Sequence, residues 1–178
     1  SLKRWLKMFK VIDNFLNKQD FANLQYELLF NSHFPWYFQE GKDKDLGNKS
    51  GDKDFNQFQL THLFFEKLKE NSKHYHILFP LFKKLKISSL TRAKANLNPY
   101  NYKFNQGQWH HDFNLENNKT AVFYLNTCDG YTIFKKDNKK IYSQANRIVI
   151  FDSKDKHTGT NTTNNTRRVV LNINYYEL

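Results

Sequence analysis

The segment Gln108-Trp109-His110-His111-Asp112-Phe113 brings imidazoles and a carboxylate together near the middle of the chain. Read as a strand, it puts His110 and Asp112 on one face and His111 on the other, because side chains alternate with period two. An imidazole and a carboxylate side by side are two thirds of a facial metal site. The third ligand must come from a distant strand, and His157 in Asp155-Lys156-His157-Thr158-Gly159 is the candidate. The separation, 157 − 112 = 45 residues, holds several strands, enough for the chain to leave and return. A two-histidine, one-carboxylate triad with open positions is the arrangement that binds non-haem Fe(II) for oxygen chemistry.

The last apolar stretch adds a second group. Arg168, Val170, Asn172 and Asn174 share one face of a strand, and Val169, Leu171, Ile173 and Tyr175 share the other. If the apolar face packs under helices, the arginine points inward, and a buried arginine needs a carboxylate partner. No acid on its own face supplies one, whereas an incoming dicarboxylate would do so by a bidentate pair. Arg167 is the competitor: a register shift of one residue would point it inward instead. The apolar set starting at Val169 favours Arg168.

The elements that must position these groups fall into two halves. Val11 to Leu16 reads as a short strand or extended lead-in. Phe21, Leu24, Leu28 and Leu29 recur at helical spacing over Lys18 to Phe30, with Asn17 as N-cap. Asn31 to Asn56 reads as a long loop, a lid or a floppy insertion, with a short strand around Trp36 to Gln39. Leu60, Leu63, Phe64 and Leu68 predict a helix over Phe58 to Glu70. His74 to Lys86 predicts another, broken or kinked near Pro80. His62, His74 and His76 in this half are expected on the surface or in packing. After Lys86 the pattern becomes strands: Ile87 to Leu97, Gln108 to Phe113, Thr120 to Asn126, Tyr131 to Lys136, Lys139 to Ser143, Arg147 to Phe151 and Arg168 to Tyr176. The Asp137-Asn138 pair marks a hairpin tip. Short strands at this spacing predict a sandwich or barrel. The expected fold class is α+β: a double-stranded β-helix (jelly-roll) core with N-terminal helices packed on one sheet. The expected domain spans residues 8–178, with 8–86 a mainly helical support and 87–178 the jelly roll. Residues 1–7, ahead of Met8, read as a tag or leader.

Composition bounds the class. The chain has 178 residues, 17% of them aromatic, enough for one domain with a real core. No apolar run approaches the ~18 residues of a membrane span, and no signal peptide is visible, so a cytoplasmic, intracellular setting is expected. The single cysteine, Cys128, excludes an internal disulfide and a cysteine-cluster zinc site. The net charge of +11 admits a polyanionic partner such as nucleic acid. The lysines are nevertheless scattered, which favours simple solubilisation.

In this order and spacing, His110-His111-Asp112, Tyr124-Leu125-Asn126, Asp129 to Phe134, His157-Thr158-Gly159 and Arg168 to Tyr175 resemble the Fe(II)/2-oxoglutarate-dependent dioxygenases. The similarity is to the prolyl-4-hydroxylase-like branch, including its small bacterial and viral forms, and covers Ser89 to Tyr176. The resemblance implies that His110, Asp112 and His157 ligate Fe(II) and that Arg168 pairs with the distal carboxylate of 2-oxoglutarate. It implies that Tyr124 and Asn172 touch the same co-substrate and that Asn174 lies on the substrate side. Asn126 and Thr132 read as turn and strand structure, and His111 as structural or exposed. The implied reaction consumes O2 and 2-oxoglutarate, hydroxylates a C–H bond and releases succinate and CO2, with ascorbate an optional addition. A prolyl residue of a peptide or protein is the favoured substrate. A nucleic-acid base is the alternative suggested by charge, and a non-catalytic metal-binding jelly roll is the alternative from another class.

Overall fold

The computed structural model describes residues 9–40 and 58–178. The large sheet runs β1 (Phe9–Ile12), β9 (Arg147–Asp152), β6 (Lys119–Tyr124), β11 (Arg167–Glu177), β5 (Ile87–Pro99), β3 (Phe58–Glu66), β2 (Tyr37–Glu40), with β4 (Lys69–Glu70) beside β3. The small sheet runs β10 (His157–Gly159), β7 (Tyr131–Phe134), β8 (Lys140–Tyr142). Every pairing between these strands is antiparallel. The two sheets close on each other through Phe9, Val122, Tyr124, Phe134, Ile141, Val149, Phe151 and Val170. This is the expected α+β jelly-roll architecture.

The other face of the large sheet is covered by helices, as the alternation in the last strand predicts. Val169, Leu171, Ile173 and Tyr175 pack with Leu24, Leu28, Leu78 and Leu81 in one buried cluster. Helix α1 (Lys18–Gln25) starts at Asn17, whose side chain accepts from the Asp20 amide at 2.9 Å. It ends in a wide π turn at Tyr26–Phe30. A 3-10 turn at Tyr75–Leu78 leads into α2 (Phe79–Lys84), where Pro80 sits in the first turn. The proline therefore starts this helix rather than kinking it, because a first-turn residue needs no N–H.

The largest departure from expectation lies in the segment before α2. Phe58 to Glu70 is not a helix but strand β3, a tight turn and β4. A bulge between Leu63 and Phe65 puts Phe64 and Phe65 on the same side, against the helical core. That doubled residue breaks the period of two and makes the apolar spacing imitate a helix. Lys67 and Leu68, both with positive φ, form the turn, so Leu68 is an exposed turn residue rather than part of an apolar stripe. The N-terminal half is accordingly not mainly helical: β1, β2 and β3 extend the large sheet on both flanks of β11. Most of the expected 31–56 loop and all of residues 1–7 lie outside the described residues; the short strand expected near Trp36 is β2.

Candidate active site

His110 and His157 face each other across a two-residue bridge, with His110 N donating to His157 O at 3.1 Å and His157 N to His110 O at 2.9 Å. The segment around His110 makes this single bridge and no continuous strand, yet the alternation holds locally. His110, Asp112 and His157 each offer one ligand atom, all within 4.8 Å of one another, while His111 is exposed at the cleft mouth. His110 Nδ1 lies 3.0 Å from Gln108 O, and His157 Nδ1 lies 2.9 Å from Asp155 O. A carbonyl accepts, so both rings carry their proton on Nδ1 and leave the Nε2 lone pair for a metal.

Asp112 is held at both oxygens. Its Oδ2 accepts from Thr120 Oγ1 and Asn174 Nδ2, each at 2.9 Å, and its Oδ1 accepts from Arg92 at 3.0 Å. Oδ1 is also the oxygen 3.9 Å from His110 Nε2. Burial pushes the carboxyl pKa up, but His157, Arg92 and the Asn174 bond outweigh it and hold it at about 2. Burial lowers the pKa of His157. Two imidazoles presenting Nε2 and one ionised carboxylate, converging on one point, fit a divalent first-row metal.

Arg168 is 2% exposed. It donates to Ser143 Oγ at 2.7 Å, Thr160 O at 3.0 Å and Thr132 Oγ1 at 3.3 Å, and its guanidinium lies over the Tyr124 ring at 5.5 Å. Among the described residues no carboxylate forms an ion pair with it, and burial lowers its pKa. Arg167, the competitor, turns to the helical side and donates to Leu29 O. Two glycines make room: a Cβ on Gly130 would lie 2.4 Å from Arg168 Cδ, and one on Gly159 would lie 3.2 Å from an Arg168 terminal nitrogen. The triad and Arg168 open into one cleft of about 520 Å³, which Asn172, Val122, Val170 and Thr132 also line.

The remaining expected residues divide. Asn172 lines the cleft, with its buried Oδ1 lacking a partner among the described residues. Tyr124 is fully buried beneath Arg168, its hydroxyl donating to Thr132 Oγ1 at 2.8 Å. Asn174, expected on the substrate side, is buried behind Asp112 instead. Its position on the strand lies beside Arg92 of β5 and Thr120 of β6, so its amide is used up within the protein. Thr132, read as strand structure, accepts from both Tyr124 and Arg168. Arg92, Thr120 and Ser143 were not expected. The polar run Arg92, Lys94, Asn96, Asn98, alternating along β5, was the available signal for the first.

Residues 97–176 match the family model of the 2OG-Fe(II) oxygenase superfamily. The match spans 80 of the 178 residues, from the end of β5 into β11, and takes in His110, Asp112, His157 and Arg168. Solved structures share the fold at low identity. A prolyl hydroxylase from Trichoplax adhaerens, in complex with a hypoxia inducible factor peptide fragment, is 15% identical with a TM-score of 0.64, covering 97% of this chain and 84% of its own. The viral collagen prolyl hydroxylase of Paramecium Bursaria Chlorella virus-1 is 14% identical with a TM-score of 0.57, covering 97% of each chain. The epimerase SnoN from nogalamycin biosynthesis is 11% identical with a TM-score of 0.65, covering 96% of this chain and 78% of its own. No curated protein matches the chain by sequence.

Proposed function

We propose that this chain is a dioxygenase that hydroxylates a prolyl residue of a peptide or protein. The observation that carries the reading is the metal triad and a buried arginine without a carboxylate partner facing one cleft. His110 and His157, fixed through Nδ1, and Asp112, through Oδ1, would hold Fe(II). Arg168 would pair with the distal carboxylate of 2-oxoglutarate, with Thr132 and Tyr124 setting its angle from behind and Asn172 offering an amide along the co-substrate. Val122 and Val170 make that end of the cleft apolar. When bound, iron and 2-oxoglutarate supply the oxidation: substrate C–H, O2 and 2-oxoglutarate become C–OH, succinate and CO2. The likeness to two prolyl hydroxylases supports a prolyl substrate, and the likeness to an epimerase is why the test must identify the product.

The purified chain with Fe(II), 2-oxoglutarate and ascorbate should release succinate, faster with a proline-containing peptide, and mass spectrometry should find one added oxygen on the peptide. His157→Ala should lose Mn(II) binding by calorimetry while keeping its circular dichroism spectrum. Unchanged Mn(II) affinity would remove His157 from the site. Among the described residues no helix is long and apolar enough to cross a membrane.

A further inference from the structure

Strand β3 aims one carboxylate at the same cleft. Gln59, Thr61 and Leu63 line the cleft in regular alternation. The bulge then spends Phe64 and Phe65 together on the helical side and returns Glu66 to the cleft. With regular alternation Glu66 would face the helices.

Glu66 stands opposite Arg92 on β5, a cross-strand position where opposite charges normally pair. Arg92 is engaged elsewhere: it donates to Asp112 Oδ1 at 3.0 Å and to Asn174 Oδ1 at 3.1 Å, and it covers the Phe113 ring at 4.9 Å. Lys69 is the opposite residue on the other flank, yet no ion pair joins it to Glu66. Glu66 is thus a half-buried carboxylate on the cleft wall, one strand from a residue that touches the metal triad, with no hydrogen-bond or ion-pair partner among the described residues. On the same face of β5 as Arg92, Asn96 lines the cleft with a buried Oδ1 that also lacks a partner among the described residues.

We propose that Glu66 selects the substrate by pairing with a cationic group, an ammonium or guanidinium, carried next to the hydroxylated C–H. This rests on the function proposed above and narrows its substrate to a peptide with lysine or arginine beside the target residue. A carboxylate facing an ammonium forms a charge-assisted bond, about twice as strong as a neutral one. The chain's net charge of +11 disfavours a polycation at long range, but screening beyond about 8 Å leaves a single cation to be read at contact.

The test uses the full chain and proline-centred peptides whose flanking positions carry lysine, arginine, norleucine or glutamate. Mn(II) and 2-oxoglutarate binding are measured first, because their absence overturns the proposed function itself, and this inference with it. If both bind, kcat/KM for peptide-dependent succinate release should be about tenfold higher, or more, for lysine or arginine than for norleucine. Glu66→Gln that still binds Mn(II) and 2-oxoglutarate should lose that preference, and Glu66→Asp should retain part of it. Equal rates for lysine and norleucine peptides, a preference that survives Glu66→Gln, or turnover of the norleucine peptide with none of the lysine and arginine peptides overturns the inference alone, whereas no turnover of any peptide overturns the proposed function with it.

Discussion

At the scale of single residues, the site is defined by groups whose ordinary partners are missing or reassigned. Arg168 keeps its charge in a buried position with only neutral acceptors around it. That arrangement is costly unless an anion completes it. The contact with Gly130 makes the point testable with a small change. Gly130→Ala would drive a methyl into Arg168 Cδ and Asn161 O, each 2.4 Å away. The expected outcome is a rise in the 2-oxoglutarate KM of roughly tenfold or more, the size of one lost charge-assisted bond, with Mn(II) affinity unchanged. A Gly130→Ala variant with unaltered KM would remove Arg168 from the co-substrate site.

At the scale of elements, three adjacent strands combine to hold one carboxylate. Arg92 of β5, Asn174 of β11 and Thr120 of β6 are brought beside one another by antiparallel register, and all donate to Asp112. Around a carboxylate that would ligate a metal, such supports matter because they fix how its oxygens face the ion. Thr120→Val removes one donor to Oδ2 without changing side-chain shape much, and Asn174→Leu removes the other. Each should weaken Mn(II) binding about 10- to 100-fold in a calorimetric titration. Retained affinity in both would mean that the ligand loop alone orients Asp112.

At the scale of the whole molecule, two buried titrating groups link the site to folding stability. Asp112 has a folded pKa of about 2 against an ordinary 3.8, and that of His157 is lowered from 6.5 by burial. A lowered folded pKa contributes stability above the unfolded value that is lost as pH falls through it. The metal-free protein should therefore weaken as pH drops below about 6.5, as the unfolded chain protonates at His157. It should lose a further contribution of about 2 kcal/mol between pH 3.8 and about 2, from Asp112. Urea denaturation midpoints measured in steps from pH 8 to pH 3 check this: a flat profile below pH 6.5 would contradict a buried, neutral His157. Metal should raise the midpoint at neutral pH and protect less as pH falls, since binding requires the deprotonated ligands.

The sequence by itself determined the parts that depend on local alternation. His110 separates from His111, and Arg168 from Arg167, because adjacent side chains point to opposite sides wherever the backbone is extended, even around a single bridge. The helical cap at Asn17 and the apolar underside of β11 were legible for the same reason: both are patterns within one element. Only the tertiary structure decided what depends on register between elements. The bulge in β3 hid a strand behind helical spacing and turned Glu66 into the cleft. The resemblance puts Asn174 on the substrate side, and its own strand carries no sign that Asp112 and Thr120 lie beside it. Arg92 and Thr132 looked like ordinary strand residues for the same reason. A hydrogen bond between strands distant in sequence leaves no periodic mark in either one, so the clustering of His110, Asp112 and His157 could be read from the chain while the residues that aim them could not.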